Sequence, residues 1–318
     1  MIPRPWALGL CLGASAASGQ SLESAGAIAP DAEVRFTAIS PDGRLLAASC
    51  RDGRLRVFSL PEGELRQNLE LGGAGVSALA YSRDGKRLAA GGRDGSVRVL
   101  DTANGTILYG SVAAPRSIEA IAISPDGSRL AIAPLDLPVL VSDLGSRKLI
   151  AELTASFAGA TGLAFSPDGK LLAATNADTS VRVFDAATGR LRSSFEELDL
   201  EPFTLDFTPD SRTLVVGGAD KILVALDPEA GKVRQRSPRQ ADPIGALAVL
   251  GDGRTVVASS FNADNMGEAR ALLAWNTATG GLTTLASGIS FNGGGVVADG
   301  RLLLTSVEDG RLKLWAIR

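Results

Sequence analysis

The sequence predicts an all-β protein, a seven-bladed β-propeller, and three observations carry this prediction. An Asp-Gly turn recurs at a fixed spacing, short strands of alternating small and large residues fill the intervals, and no helical periodicity is sustained after the N-terminal segment. Short strands in groups of four, at a period near 42 residues, are typical of propeller blades.

The recurring turn is marked by a glycine at its second position. Successive markers are 42 residues apart five times and 47 residues apart once, and Ser211 replaces the glycine in the fifth copy. Asp-Gly between two apolar runs is a strong hairpin signal, because glycine accepts positive φ and Asp caps its own turn. An aspartate precedes the marker in every copy: Asp42, Asp84, Asp126, Asp168, Asp210, Asp252 and Asp299.

A second acidic position recurs nine residues after each marker, and it predicts the turn between the second and third strands. Because both acidic sets repeat with the blades, we interpret them as turn-forming residues. The second set comprises Asp52, Asp94, Asp136, Asp178, Asp220 and Asp309, with Asn262 in the sixth copy. In that copy the turn carries an insertion, Phe261 to Arg270.

The last copy ends on its third strand, Leu312 to Ile317, so its outer strand is missing from the C-terminal end. Counting back from Gly43 places a candidate for that strand at about Ser21 to Ala27. We expect it to pair with the C-terminal strand and to close the ring, because closure removes an open sheet edge.

The stretch Ser166-Pro167-Asp168-Gly169 followed by Val181-Arg182-Val183-Phe184-Asp185 resembles the WD-repeat family. The resemblance covers roughly residues 20–318, as a degenerate, bacterial-type member, since the chain has no histidine and therefore lacks the family's Gly-His dipeptide. It implies a non-catalytic scaffold that binds a protein partner. The implied binding face is the one shared by the second-to-third-strand turns and the connections between blades.

Residues 1–19 resemble a secretory signal peptide, with an apolar run from Trp6 to Gly13 and small residues after it. The alternative is a disordered tail or a misassigned start. The first interpretation predicts a secreted or periplasmic protein, whose mature chain of residues 20–318 does not insert into a membrane. The second leaves a cytoplasmic location open.

Composition narrows the classes of function. The formal net charge is −3, from 32 basic and 35 acidic residues, without a basic stripe, so a nucleic-acid partner is not predicted. The absence of histidine removes imidazole bases and ligands, and neither an enzyme nor a cofactor is predicted. The rival hypothesis is a propeller hydrolase or lactonase-like enzyme with carboxylates, with or without calcium, at the channel mouth.

Three charged residues interrupt the apolar pattern of the innermost strands: Arg35, Glu119 and Asp206. Position 206 is held by alanine or glycine in the other copies, so its aspartate is either a channel-facing or salt-bridged residue or part of a ligand site. The insertion is a partner contact, a solvated loop or, by its oxygen ligands, a metal loop. The predicted partner-binding residues are Arg51, Arg93, Arg116, Asn176, Lys221, Arg239, Asp264, Glu268 and Arg270.

Overall fold

The computed structural model describes residues 22–28, 30–71, 75–153, 159–196, 202–261, 269–287, 293–296, 302–308 and 311–317. Within these ranges the regular structure is antiparallel β-sheet, and the strands form seven four-stranded sheets. Short four-stranded antiparallel sheets are consistent with a β-propeller.

Six sheets follow the order of the chain. The first contains β2 (Val34–Ile39), β3 (Leu45–Cys50), β4 (Arg54–Ser59) and β5 (Leu65–Glu70). The second contains β6 (Val76–Tyr81), β7 (Arg87–Gly92), β8 (Ser96–Asp101) and β9 (Ile107–Val112). The third contains β10 (Ile118–Ile123), β11 (Arg129–Pro134), β12 (Val139–Asp143) and β13 (Leu149–Leu153).

The next three sheets repeat the same order. The fourth contains β14 (Ala160–Phe165), β15 (Leu171–Asn176), β16 (Val181–Asp185) and β17 (Leu191–Phe195). The fifth contains β18 (Pro202–Phe207), β19 (Leu214–Gly218), β20 (Leu223–Asp227) and β21 (Lys232–Arg236). The sixth contains β22 (Ile244–Val249), β23 (Thr255–Phe261), β24 (Ala269–Asn276) and β25 (Leu282–Ser287).

The seventh sheet joins the two ends of the described chain. Its strands are β26 (Gly293–Val296), β27 (Leu302–Glu308), β28 (Arg311–Ile317) and β1 (Leu22–Ile28), in the order β1-β28-β27-β26. The strand expected at about residues 21–27 is therefore observed one residue later. It is antiparallel to β28, with Leu22 opposite Ile317 and Ile28 opposite Leu312.

The turn between the first and second strands has one construction in five sheets. In the first sheet, the Ser40 hydroxyl donates to the Asp42 carboxylate at 2.6 Å, which also accepts from the Arg44 amide at 3.1 Å. Gly43 adopts a φ of 69°, in the left-handed region, where a β-carbon is disfavoured. The same hydroxyl–aspartate pairs are Ser82–Asp84, Ser124–Asp126, Ser166–Asp168 and Thr208–Asp210.

The apolar core lies between neighbouring sheets. Leu55 and Val57 of the first sheet pack with Leu88 and Leu100 of the second, and corresponding clusters recur along the series. The first strands β2, β6, β10, β14, β18, β22 and β26 each contact the first strands of two other sheets. The first strands of neighbouring sheets therefore lie side by side.

Candidate functional site

One end of the sheets carries the described turns between second and third strands and the described parts of the connections that lead into first strands. Backbone hydrogen bonds join such pairs in the first, second and fourth sheets: Arg51 N–H to Glu33 O at 2.8 Å, Arg93 N–H to Gly75 O at 3.0 Å and Ala177 N–H to Gly159 O at 3.1 Å. We define this end as the upper face. Its described parts are 30–33, 51–53, 75, 93–95, 113–117, 135–137, 159, 177–179, 196, 219–221 and 237–243.

The upper face contains most of the predicted partner-binding residues that the structure describes. Arg51, Arg93, Arg116 and Arg239 are exposed. Lys221 is half-buried, and its Nζ donates to the carbonyl of Ala241 at 2.7 Å. These five cations come from turns or connections of the first, second and fifth sheets.

The prediction for Asn176 was wrong. Its side chain is buried at 0% exposure at the end of β15, where the Nδ2 amide donates to the Ser180 hydroxyl at 3.2 Å and to the Ala174 carbonyl at 3.3 Å. A long polar residue near a turn looked like a surface group in the sequence. The last residue of a second strand instead faces the interior, and Asn176 stabilises the turn that follows.

The remaining predicted residues belong to the insertion. Asp264 and Glu268 lie outside the described residues, as does Asn262. Arg270 is part of β24, and its side chain is likewise outside the description. The alternatives of a partner contact, a metal loop and a solvated loop remain predictions for this segment.

A cavity of about 300 Å³ opens on the upper face between the first and second sheets. Three arginines from three elements line it: Arg35 on β2, Arg51 after β3 and Arg93 after β7. We call it the arginine pocket; its other lining residues are Cys50, Asp52, Gly53, Gly75 and Val76. The sequence indicated Arg51 and Arg93 as surface residues and Arg35 as an exception on an inner strand, but it did not indicate that they meet.

The acidic groups at the arginine pocket are paired within the protein. Asp52 accepts from both terminal nitrogens of Arg56, at 2.6 and 3.1 Å, and this bond holds its pKa below the usual value. Glu33 accepts from Arg51 at 2.8 Å, and that exposed pair lowers the pKa of Glu33. Glu33 was not predicted from the sequence as a residue of this face. Its position directly before a first strand was the signal that could have indicated it.

Two other carboxylates of the upper face differ in their environments. Asp136 lies 3.8 Å from Arg116, both side chains being more than half exposed, so their interaction is weak. Asp220 is buried, and burial raises its pKa, although the Ile222 amide and nearby Arg239 oppose that shift.

Asp206 bridges two sheets through backbone donors. Its carboxylate accepts from the Phe207 amide of β18 and from the Val249 amide of β22, both at 2.9 Å. Burial raises its pKa to about 6, and the two amide hydrogen bonds limit the rise. Because these hydrogen bonds join two sheets, the arrangement favours a structural role for Asp206 over a ligand site.

Glu119 and Arg35 occupy equivalent positions in two first strands. Each lies at a break in the strand register, between Ile118 and Ala120 in β10 and between Val34 and Phe36 in β2. Glu119 is half-buried there. In two other copies the same position holds a hydroxyl that bonds to the next sheet: Ser77 to Ile118 O at 2.7 Å and Thr161 to Pro202 O at 2.8 Å.

Cys50 lies among the described residues as a buried free thiol, and burial raises the pKa of that thiol. Among the described residues, no three His, Cys, Asp or Glu side chains are grouped as a metal site would require. The same part of the chain holds no helix with the length and apolar character that crossing a membrane requires.

Two family models match the chain. The model described as outer membrane protein assembly factor BamB matches residues 51–318, and the model described as WD domain, G-beta repeat, matches residues 28–59. Both are repeat families of the propeller type, as the resemblance in the sequence predicted. No curated protein matches the chain.

Proposed function

The chain belongs to the family described as outer membrane protein assembly factor BamB, and from this premise we propose that it is a non-catalytic scaffold that binds a protein partner. The match covers most of the chain, and the WD-type match at residues 28–59 supports the same role, since repeat propellers of both kinds serve protein interaction and assembly. The family description also supports export, which the signal-like residues 1–19 predict independently.

The scaffold we propose is a seven-bladed propeller whose ring is closed by β1. The pairing of β1 with β28 in the seventh sheet supports this arrangement, as do the contacts of each first strand with two others. A closed ring completes the seventh blade with a fourth strand and joins the two ends of the described chain. It also provides a rigid platform on which loops can recognise a partner.

The observation that carries the proposal is the collection of cations on the upper face. Arg51, Arg93, Arg116 and Arg239 are exposed there, on turns and connections rather than on the strands that form the core. Arginine is favoured at protein interfaces because its planar guanidinium forms several directed hydrogen bonds. The described upper face also carries nine carboxylates, so its exposed guanidinium groups supply directed hydrogen bonds to a partner rather than a net positive charge.

The test is a comparison of partner capture by matched triple variants. The upper-face variant is Arg116→Glu, Lys221→Glu and Arg239→Glu, which leaves the arginine pocket intact. The control is Arg44→Glu, Arg212→Glu and Arg254→Glu, three exposed cations at the opposite end of the sheets. Both variants change the net charge equally, so a general charge effect would appear in both.

Each immobilised protein is exposed to the envelope fraction of its source cells, and captured proteins are quantified by mass spectrometry. We expect a protein that the wild type and the control capture and the upper-face variant does not, with circular dichroism showing all three proteins folded. Equal capture by all three proteins, or none by any, would overturn the assignment of this face.

A further inference from the structure

We propose that the arginine pocket binds a carboxylate group of an acidic segment of the partner protein. The inference rests on the proposed function, in which the upper face binds a protein. It adds a specific location and a chemical class of ligand. None of the cations replaced in the preceding test lines the arginine pocket.

The pocket contains more positive charge than its own carboxylates neutralise. Its lining includes three guanidinium groups and one carboxylate, Asp52, which is already bonded bidentately to Arg56 outside the lining. Among the described residues, neither Arg35 nor Arg93 has a carboxylate within ion-pair distance, and Arg35 acts on Glu33 only at longer range, where it helps to lower the pKa of that carboxylate. A guanidinium group that faces a concave space without a partner favours an anion there.

The size and lining of the pocket favour a carboxylate over larger anions. A volume of about 300 Å³ is at the lower end for ligand sites, enough for an acidic side chain or a chain terminus. No aromatic residue belongs to its described lining, so a nucleotide base has no ring on which to stack. The flat guanidinium groups match the two oxygens of a carboxylate.

Glu33 already supplies such a carboxylate to one of the three arginines. Its side chain and that of Arg51 are both more than half exposed, and their 2.8 Å ion pair lies beside the pocket. Glu33 is on the connection before β2 and competes for the guanidinium that an incoming carboxylate needs. Removing the charge of Glu33 should therefore strengthen binding, whereas removing the charges of Arg35 and Arg93 should weaken it.

The experiment measures fluorescence anisotropy of a labelled oligoglutamate peptide with the full chain at low ionic strength. Loss of both free charges in the variant Arg35→Gln, Arg93→Gln should weaken binding about tenfold, since each charge contributes modestly at an exposed site. Glu33→Gln should strengthen it about two- to threefold. The matched control Arg212→Gln, Arg254→Gln removes the same charge from the opposite end and should have no effect.

Peptide affinity that is the same in all four proteins would overturn the inference. Binding of inorganic sulfate at the pocket, detected by thermal shift without any peptide binding, would also overturn it in favour of a site for free oxyanions. An oligoglutamine peptide, which lacks charge, should not bind, and raised salt should weaken oligoglutamate binding.

Partner capture separates this inference from the proposed function. If the variant Arg35→Gln, Arg93→Gln captures the partner as the wild type does, and the upper-face triple variant does not, then the scaffold function holds and the pocket inference is wrong. Loss of capture in the pocket variant, with folding unchanged by circular dichroism, supports both.

Discussion

Asp206 occupies a first-strand position that holds alanine or glycine in the other copies. Its carboxylate accepts hydrogen bonds from two backbone amides in adjacent sheets, those of Phe207 on β18 and Val249 on β22. The side chain keeps some solvent exposure, but the protein packed around it weakens the solvation of its charge. The two hydrogen bonds therefore stabilise an ion that burial opposes.

The stability of the wild type relative to Asp206→Asn should increase as pH falls from about 6 to about 4. Burial raises the pKa of Asp206 from 3.8 to about 6, so the folded state binds the proton more tightly than the unfolded state and gains stability when the group is protonated. The gain is at most about 3 kcal/mol, from a shift of about two pKa units. Urea denaturation of both proteins across this range measures it.

Asp126 provides the contrasting case and the control for this measurement. The Ser124 hydroxyl and the Ser128 amide lower its pKa to about 2. Its contribution to stability is complete above the ordinary pKa of 3.8 and is lost as pH falls towards 2. Asp126→Asn should therefore have little influence on the pH dependence of stability between about pH 4 and about pH 6. An effect there as large as that of Asp206→Asn would contradict the assignment of this pH dependence to Asp206.

Among the strands, β9 is an outer strand without a charged residue. An outer strand presents unpaired backbone groups, and charges on it prevent association with other chains. β5, β13, β17 and β21 each carry at least one charged residue, whereas β9 and β25 carry none. On β9, Val112 is 75% exposed, so this uncharged edge also presents an apolar side chain to solvent.

The substitution Val112→Lys should reduce self-association of the protein without lowering its melting temperature. The added charge interferes with pairing of β9 edges in solution, and the exposed valine contributes little to the core. Light scattering on heating measures the association. Leu191→Lys on β17, where Arg192 already supplies a charge, is the matched control. Equal protection by the two variants would contradict a special role for β9.

At the scale of the whole molecule, the two ends of the described chain meet in one sheet. β1 pairs with β28 along six residue pairs from Leu22–Ile317 to Ile28–Leu312, with one irregularity between Ser24 and Gly26. Without β1, the seventh sheet would expose β28 as an open edge. The proposed closure of the ring therefore depends on this contact between residues nearly 300 positions apart in the sequence.

Replacing residues 22–28 with a flexible Gly-Ser segment should lower the melting temperature by about 5–10 °C, because the loss of one paired strand costs several kcal/mol in a chain of this size. Calorimetry measures the change. A synthetic peptide of residues 20–29 should restore part of the loss, and a scrambled peptide should not. An unchanged melting temperature would show that closure by β1 does not stabilise the molecule.

The local elements could be predicted because their causes are local. Each Asp-Gly turn is specified by a few adjacent residues, such as Asp42 and Gly43, and the alternating strands beside it follow from the same segment. The supporting hydroxyl of Ser40, two residues before Asp42, recurs in the sequence as Ser or Thr in five copies. The N-terminal strand was also predictable, because the repeat count left one strand missing.

The sequence by itself determined the period, the turns and the family, since these depend on neighbouring residues and on spacing. Only the tertiary structure decided that Asn176 is buried and that Arg35, Arg51 and Arg93 line one cavity. Arg51 and Arg93 are separated by one full repeat, so their proximity depends on how adjacent sheets pack. Packing between sheets determines which side chains face solvent, and no local pattern contains that information.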